Sequence, residues 1–147
     1  MQLHQPDIRS ALRTSERSAG FNVASYAPYV RSIVRIVVAL LFFEHGLSKI
    51  IGFPQGPALP VDFSLHWFSG VIEFVGGVLL TAGLFSRSAA LVVSGEMAFA
   101  YFLSHAPHGF FPQLNRGEGA VLYCFIFLYL AFAGPGPWSI DALIKRK

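Results

Sequence analysis

The chain is expected to be an all-α membrane protein, an antiparallel four-helix transmembrane bundle. Two observations carry that expectation. Apolar residues make up 54% of the 147 residues and charged residues only 13%, about half the roughly 25% charge of an ordinary soluble domain. The few charges are also unevenly placed: between Ser88 and Asn115 the only one is Glu96, and between Gly119 and Ile140 there is none. A chain so short of polar surface cannot coat itself in water, and long uncharged stretches suit contact with lipid.

Four apolar segments stand out, Ile33 to Ile51, Leu65 to Phe85, Ser88 to His105 and Glu118 to Gly134. At ~1.5 Å per residue, segments of ~17 to 21 residues span roughly 26 to 32 Å, about the thickness of the hydrocarbon core. The breaks between them carry turn chemistry: Pro54, Pro57 and Pro60 in the first, Ser86-Arg87-Ser88 in the second, Pro107 and Pro112 in the third. Gly134-Pro135-Gly136-Pro137 ends the last helix, Trp138 suits a membrane interface, and Ser139 can N-cap a short amphipathic tail. Residues 1–28 form a polar segment without the apolar run of a cleavable signal, and residues 29–147 form the membrane domain.

The formal charge is +3, but the basic residues are scattered beside apolar runs, so they read as topology signals and not as a nucleic-acid surface. With the N-terminus cytoplasmic, Arg9, Arg13, Arg17, Arg31, Arg35, Arg87, Lys145, Arg146 and Lys147 fall on or near the inner face, leaving Lys49 and Arg116 outside. Both termini are then cytoplasmic and the two Pro-rich loops face outward. Those loops share Phe-Pro-Gln, at Phe53 to Gln55 and Phe111 to Gln113, a match too short to establish a duplication. Small residues recur near i+4 and i+7 in the second segment (Ser69, Gly70, Gly76, Gly77, Thr81, Gly83) and in the third (Ala90, Ser94, Ala98). Such stripes let backbones approach closely in lipid.

Each segment holds one glutamate: Glu44, Glu73 and Glu96 near mid-membrane and Glu118 at the start of the fourth. Acids at that depth are costly, so the first three are expected to point into the bundle, either as a proton or ligand site or as a polar network that only fixes packing. The first segment is the richest, with Glu44, His45, Gly46, Ser48 and Lys49; His45 and Lys49 share a face, and Lys49 could instead snorkel to the outer interface. His66, His105 and His108 also fall in the outer half. No metal is expected: only His45 lies well inside a helix, and the paired Glu-x-x-His of di-iron bundles is missing. The lone Cys124 permits neither an intrachain disulfide nor a dithiol mechanism, and reads as a small buried residue.

Arg35, His45-Gly46-x-x-Lys49, Glu73-Phe74-Val75-Gly76-Gly77, Gly83 to Ala90 and Glu96-Met97 follow one another in an order that resembles the DoxX family. The likeness continues through Ala100-Tyr101-Phe102, His105-Ala106-Pro107, Asn115-Arg116-Gly117-Glu118 and Gly134 to Asp141, covering about Arg31 to Leu143. The resemblance implies a bacterial inner-membrane protein tied to redox chemistry, a related branch supplying the membrane subunit of thiosulfate:quinone oxidoreductase. It has no intrinsic cofactor in this reading. A quinone would rest among Glu44, Lys49, Phe74, Phe99 and Tyr123, with Phe68 and Phe102 nearby, while Glu73, Glu96 or His45 exchange its protons. Electrons would come from a partner subunit, so the chain is not expected to be catalytic alone. The alternative is a non-catalytic structural or assembly subunit of a larger complex or a homo-oligomer. Proton-coupled transport is weaker, because four helices form a pore only as an oligomer.

Overall fold

The computed structural model describes residues 22–54 and 56–146, and within them the protein is all-helical. The expected features of residues 1–21, including the arginines at 9, 13 and 17, and of Gln55 and Lys147 lie outside the described residues. A 3₁₀ turn, Val23–Tyr26, leads into α1 (Ala27–Ile51), followed by α2 (Leu65–Ala82), α3 (Ser86–Ala100), α4 (Glu118–Ala133) and the short α5 (Ile140–Ile144). A π-helical turn, Tyr101–His105, and a 3₁₀ turn, Ala106–His108, extend α3. Three of these stretches are long and apolar enough to cross a bilayer, Val23–Ile51, Leu65–Ala82 and Ser86–His108; α4 is apolar but shorter, at 16 residues.

Local chemistry sets the ends. Pro28 sits in the first turn of α1, where a missing N–H costs nothing. The Ser64 hydroxyl accepts from Trp67 N at 3.2 Å and caps α2, and Ser139 does the same for α5 through Ala142 N at 3.1 Å, as its position suggested. Gly83 ends α2 in the left-handed conformation at φ +71°, where a side chain would be strained and would also run into Ser139.

The small-residue stripe of α2 resolves into two faces. Gly70 and Gly77 look at α1, where a Cβ on Gly77 would lie 2.6 Å from Phe43 Cβ and one on Gly70 2.9 Å from Lys49 Cβ. From the other side Gly46 of α1 meets the backbone of Glu73 and Phe74, so α1 and α2 touch almost backbone to backbone. Gly76 looks instead at Val93 of α3. Helices α3 and α4 form a second close pair, in which the Ser94 hydroxyl donates to Cys124 O at 2.8 Å. The pairs are joined by a buried core of Ala39, Phe42, Leu80, Ala90, Val93, Phe127 and Leu130. Within it Phe42 meets Phe127 edge-on at 5.0 Å and Tyr123 at 5.3 Å. Outward-facing positions are apolar as well: Leu40, Val75, Val92, Phe125 and Phe132 are exposed on their helices. That is the surface of a protein whose solvent is lipid.

The segment after α4 is bound to the helix ends. Arg35, fully buried, donates from Nε to Pro135 O at 3.0 Å, from one amino group to Leu80 O and Thr81 O, and from the other to Trp138 O. The Asp141 carboxylate accepts from Phe85 N at 2.9 Å and Ser86 N at 2.8 Å, capping α3 from a distance, and Asp141 N donates to Gly83 O at 2.9 Å. Arg87 caps α4 through Ala131 O at 2.8 Å and Phe132 O at 2.6 Å. Arg35 and Arg87, read from sequence as topology charges, are thus also helix C-terminal caps, each bonding carbonyls of a helix's last turn, Leu80 O being shared with Gly83 N at 3.2 Å.

Candidate functional site

Helices α1 to α4 together enclose a cleft of about 940 Å³ at the end of the molecule that carries the Pro-rich loops. Its floor is polar because four residues on three helices converge there. Lys49 of α1 donates to Glu73 Oε1 at 2.7 Å and to Ser69 Oγ at 2.9 Å, both on α2. The Ser69 hydroxyl donates on to Glu96 Oε1 of α3 at 2.8 Å. Glu73 is only 3% exposed, whereas Lys49 is 25% exposed and reaches the floor from the cleft side. Lysine therefore pairs inside the molecule and does not simply snorkel.

The one ammonium is bonded to Glu73 directly and linked to Glu96 only through the Ser69 hydroxyl. Oε2 of Glu73 and of Glu96 are buried and find no hydrogen-bond partner among the described residues. Each is an unpartnered acceptor, or a donor when protonated, buried in the floor beside the chamber. The walls are aromatic and aliphatic: Phe68, Ile72, Val92, Phe99 and Tyr123. Near the mouth stand His66, His105 and Arg116. The π-helical turn puts His105 on the cleft, where its Nδ1 lies 3.1 Å from Asn115 O. Asn115 is itself buried and ties the loop between α3 and α4 together through Gly109 O and Gly117 N, both at 2.8 Å.

Of the residues singled out from sequence, Glu73, Glu96, His45, Lys49, Phe99 and Tyr123 all line this cleft. His45 stands beside Tyr123, their rings 5.7 Å apart, with its Nδ1 2.9 Å from Leu41 O. Two expected residues are elsewhere. Glu44 is exposed and off the cleft, because the face α1 presents there carries Phe42, His45 and Lys49, at helical spacings that leave Glu44 to the side. Phe74 packs on Phe43 at 5.0 Å in the α1–α2 seam and does not reach the cleft. Phe102 and His108 also lie off it, His108 meeting Ser104 O at 3.0 Å. Glu118 is exposed at the start of α4. The residue that sequence reading undervalued is Ser69, taken as a small packing residue. Its i,i+4 spacing to Glu73 was the available signal, but the link to Glu96 depends on how α2 meets α3.

The family model for DoxX matches residues 30–106. An uncharacterized protein of Haemophilus influenzae is 45% identical over 132 residues, covering 86% of this chain and 98% of the relative. The chain belongs to the DoxX family. A second relative, the inner membrane protein YqjF of Escherichia coli, is 30% identical over 78% of this chain and 92% of its own length. The uncharacterized membrane protein Rv3486 of Mycobacterium tuberculosis is 25% identical over 78% of this chain and 80% of its own. No solved structure matches the chain. As a DoxX protein with apolar helices long enough to span, it is a membrane protein in contact with the bilayer. The DoxX match spans α1 to α3 and the π-helical turn, and so contains the whole polar floor; the wall supplied by Arg116, Gly119, Ala120 and Tyr123 lies beyond it.

Proposed function

We propose that this DoxX protein is the quinone-binding membrane subunit of a redox complex, with Glu73 and Glu96 exchanging protons at the floor of the cleft. The observation that carries the reading is the chain Lys49–Ser69–Glu96 with Glu73 beside it, flanked by aromatic walls and holding two unpartnered buried carboxylate oxygens. A bound quinone would supply an acceptor of electrons and protons. Phe68, Phe99 and Tyr123 would flank its ring, Lys49 and Ser69 would hold the acids in place, and Glu96 would pass a proton through the Ser69 hydroxyl toward Glu73. In this reading the electrons come from a partner subunit. We place the protein in the bacterial inner membrane, with α4 as a fourth antiparallel span and both termini cytoplasmic. At ~1.5 Å per residue α4 is roughly 24 Å long, and the absence of charge along it after Glu118 and its close packing along α3 support a crossing.

A second reading has its own support. The same network ties α1, α2 and α3 together, which is what a structural or assembly subunit would need of it. Glutamine keeps the shape and hydrogen-bonding capacity of glutamate but cannot relay a proton. Membranes carrying Glu73→Gln and Glu96→Gln should therefore lose quinone-dependent turnover while expression and partner co-purification persist. Glu73→Leu should harm both, because it strands Lys49. Full turnover in both glutamine variants would remove the proton relay and leave the structural subunit.

A further inference from the structure

A second cavity of about 380 Å³ runs between α2 and α3 toward the tail end of the molecule, lined by Val75, Leu79, Phe85 and Ala89 among others. It shares Ile72 and Val92 with the wall of the polar cleft, so the two cavities lie end to end along the α2–α3 seam, on either side of those residues. The upper part is floored by Glu73, Ser69 and Glu96, and the lower part is apolar but for Ser88 at its edge. From Ile72 to Leu79 the groove extends about 10 Å along α2, at ~1.5 Å per residue, long enough for most of a ten-carbon chain. Val75 and Val92, 49% and 59% exposed, stand on the lips of the seam, so it opens sideways toward lipid and not only at the loop end.

We infer that the ligand of the cleft is an amphiphile that enters laterally from the bilayer, its polar ring over the Glu73–Glu96 floor and its apolar tail in the α2–α3 groove. The inference rests on the quinone reading and narrows it to lipid-soluble, tailed quinones. Adjacency of the groove to the polar chamber, across Ile72 and Val92, is what assigns it to the ligand's own tail, in preference to a free acyl chain or a helix of another copy. A tail leaving the ring at Ile72 and Val92 has an apolar path in one direction only, since the other end of the cleft is rimmed by His66, His105 and Arg116.

The test compares a decyl-substituted ubiquinone with its tailless ring analogue, bound to the intact purified protein in one detergent. The proteins compared are wild type, Val75→Trp and Ser88→Phe, which fill the groove from its two exposed edges. Lipid tails are as apolar as the groove, so the tail gains packing contacts only, and the wild type should prefer the tailed probe by about fivefold beyond its partitioning into detergent. Both variants should erase that preference and leave the tailless probe unchanged, isolating the coupling as a mutant cycle does. An equal tail preference in all three proteins would overturn the groove assignment while leaving the quinone reading in place. Binding of neither probe to the wild type would reject both. A change in oligomeric state in the variants without a change in tail preference would make the groove a contact between copies and overturn the inference.

Discussion

Arg35 shows most plainly what a single residue decides. Its guanidinium forks to four carbonyls, two at the end of α2 and two in the segment after α4, and none of the hydrogen bonds goes to a side chain. Arginine suits the task because its planar fork directs donors to several acceptors at once and stays charged while buried. Arg35→Met should leave the Thr81, Pro135 and Trp138 carbonyls without this donor and cost about 3 kcal/mol or more, read as a lower melting temperature in detergent. Arg35→Lys should recover only part of the loss, since one ammonium cannot reach both α2 and the tail. Melting of Arg35→Met at the wild-type temperature would show that the clamp contributes little.

Between elements, the contact of α1 with α2 and the docking of the tail rest on different forces. The first depends on absent side chains: Gly77→Leu should push Phe43 and α1 away and disrupt the bundle, seen as loss of monodisperse protein or a sharply lower melting temperature. Unchanged stability would mean that the helices separate there at no cost. The tail is held electrostatically. Partial burial pushes the Asp141 carboxyl up, but hydrogen bonds from Ser86 and Phe85 and the charge of Lys145 outweigh it, leaving the group below the ordinary carboxylate range. A depressed carboxylate stabilises the folded protein fully above its ordinary range, and that contribution is lost as pH falls through the lowered value. Asp141→Ala should therefore cost about 1 kcal/mol at neutral pH, the usual worth of a helix N-terminal cap, and nothing once the pH is low enough to protonate the wild-type group. Parallel stability curves down to strong acid would show that Asp141 does not hold the tail.

At the scale of the molecule, the proposed orientation predicts a pattern of surface access. In a Cys124→Ala background, single cysteines at Arg87 and Lys145 should be shielded from an impermeant thiol reagent in intact cells, and those at Ala58 and Gln113 should react. Labelling at Arg87 without lysis would invert the topology or remove one span. The Arg87 guanidinium already occupies the end of α4, so the melting temperature of that variant should be measured alongside.

The helical class, the approximate ends of each helix and the choice of lipid as solvent were all legible in the chain itself, because apolar runs, prolines, glycines and capping serines act within a few residues of themselves. The acids that matter were legible as a set: an ionised group in a run as apolar as α2 or α3 must be costly wherever it points. Which acids face one another was not. Glu44 and Glu73 look alike in sequence, yet one is exposed and the other sits on the cleft floor with Lys49, because the rotation of each helix about its axis is decided by packing such as Gly46 against the backbone of Glu73 and Phe74. The same holds for Ser69, Asp141 and the placement of the groove beside the cleft. Each depends on the relative placement of helices far apart in the chain, and that is settled by close packing across the whole bundle, which no local pattern encodes.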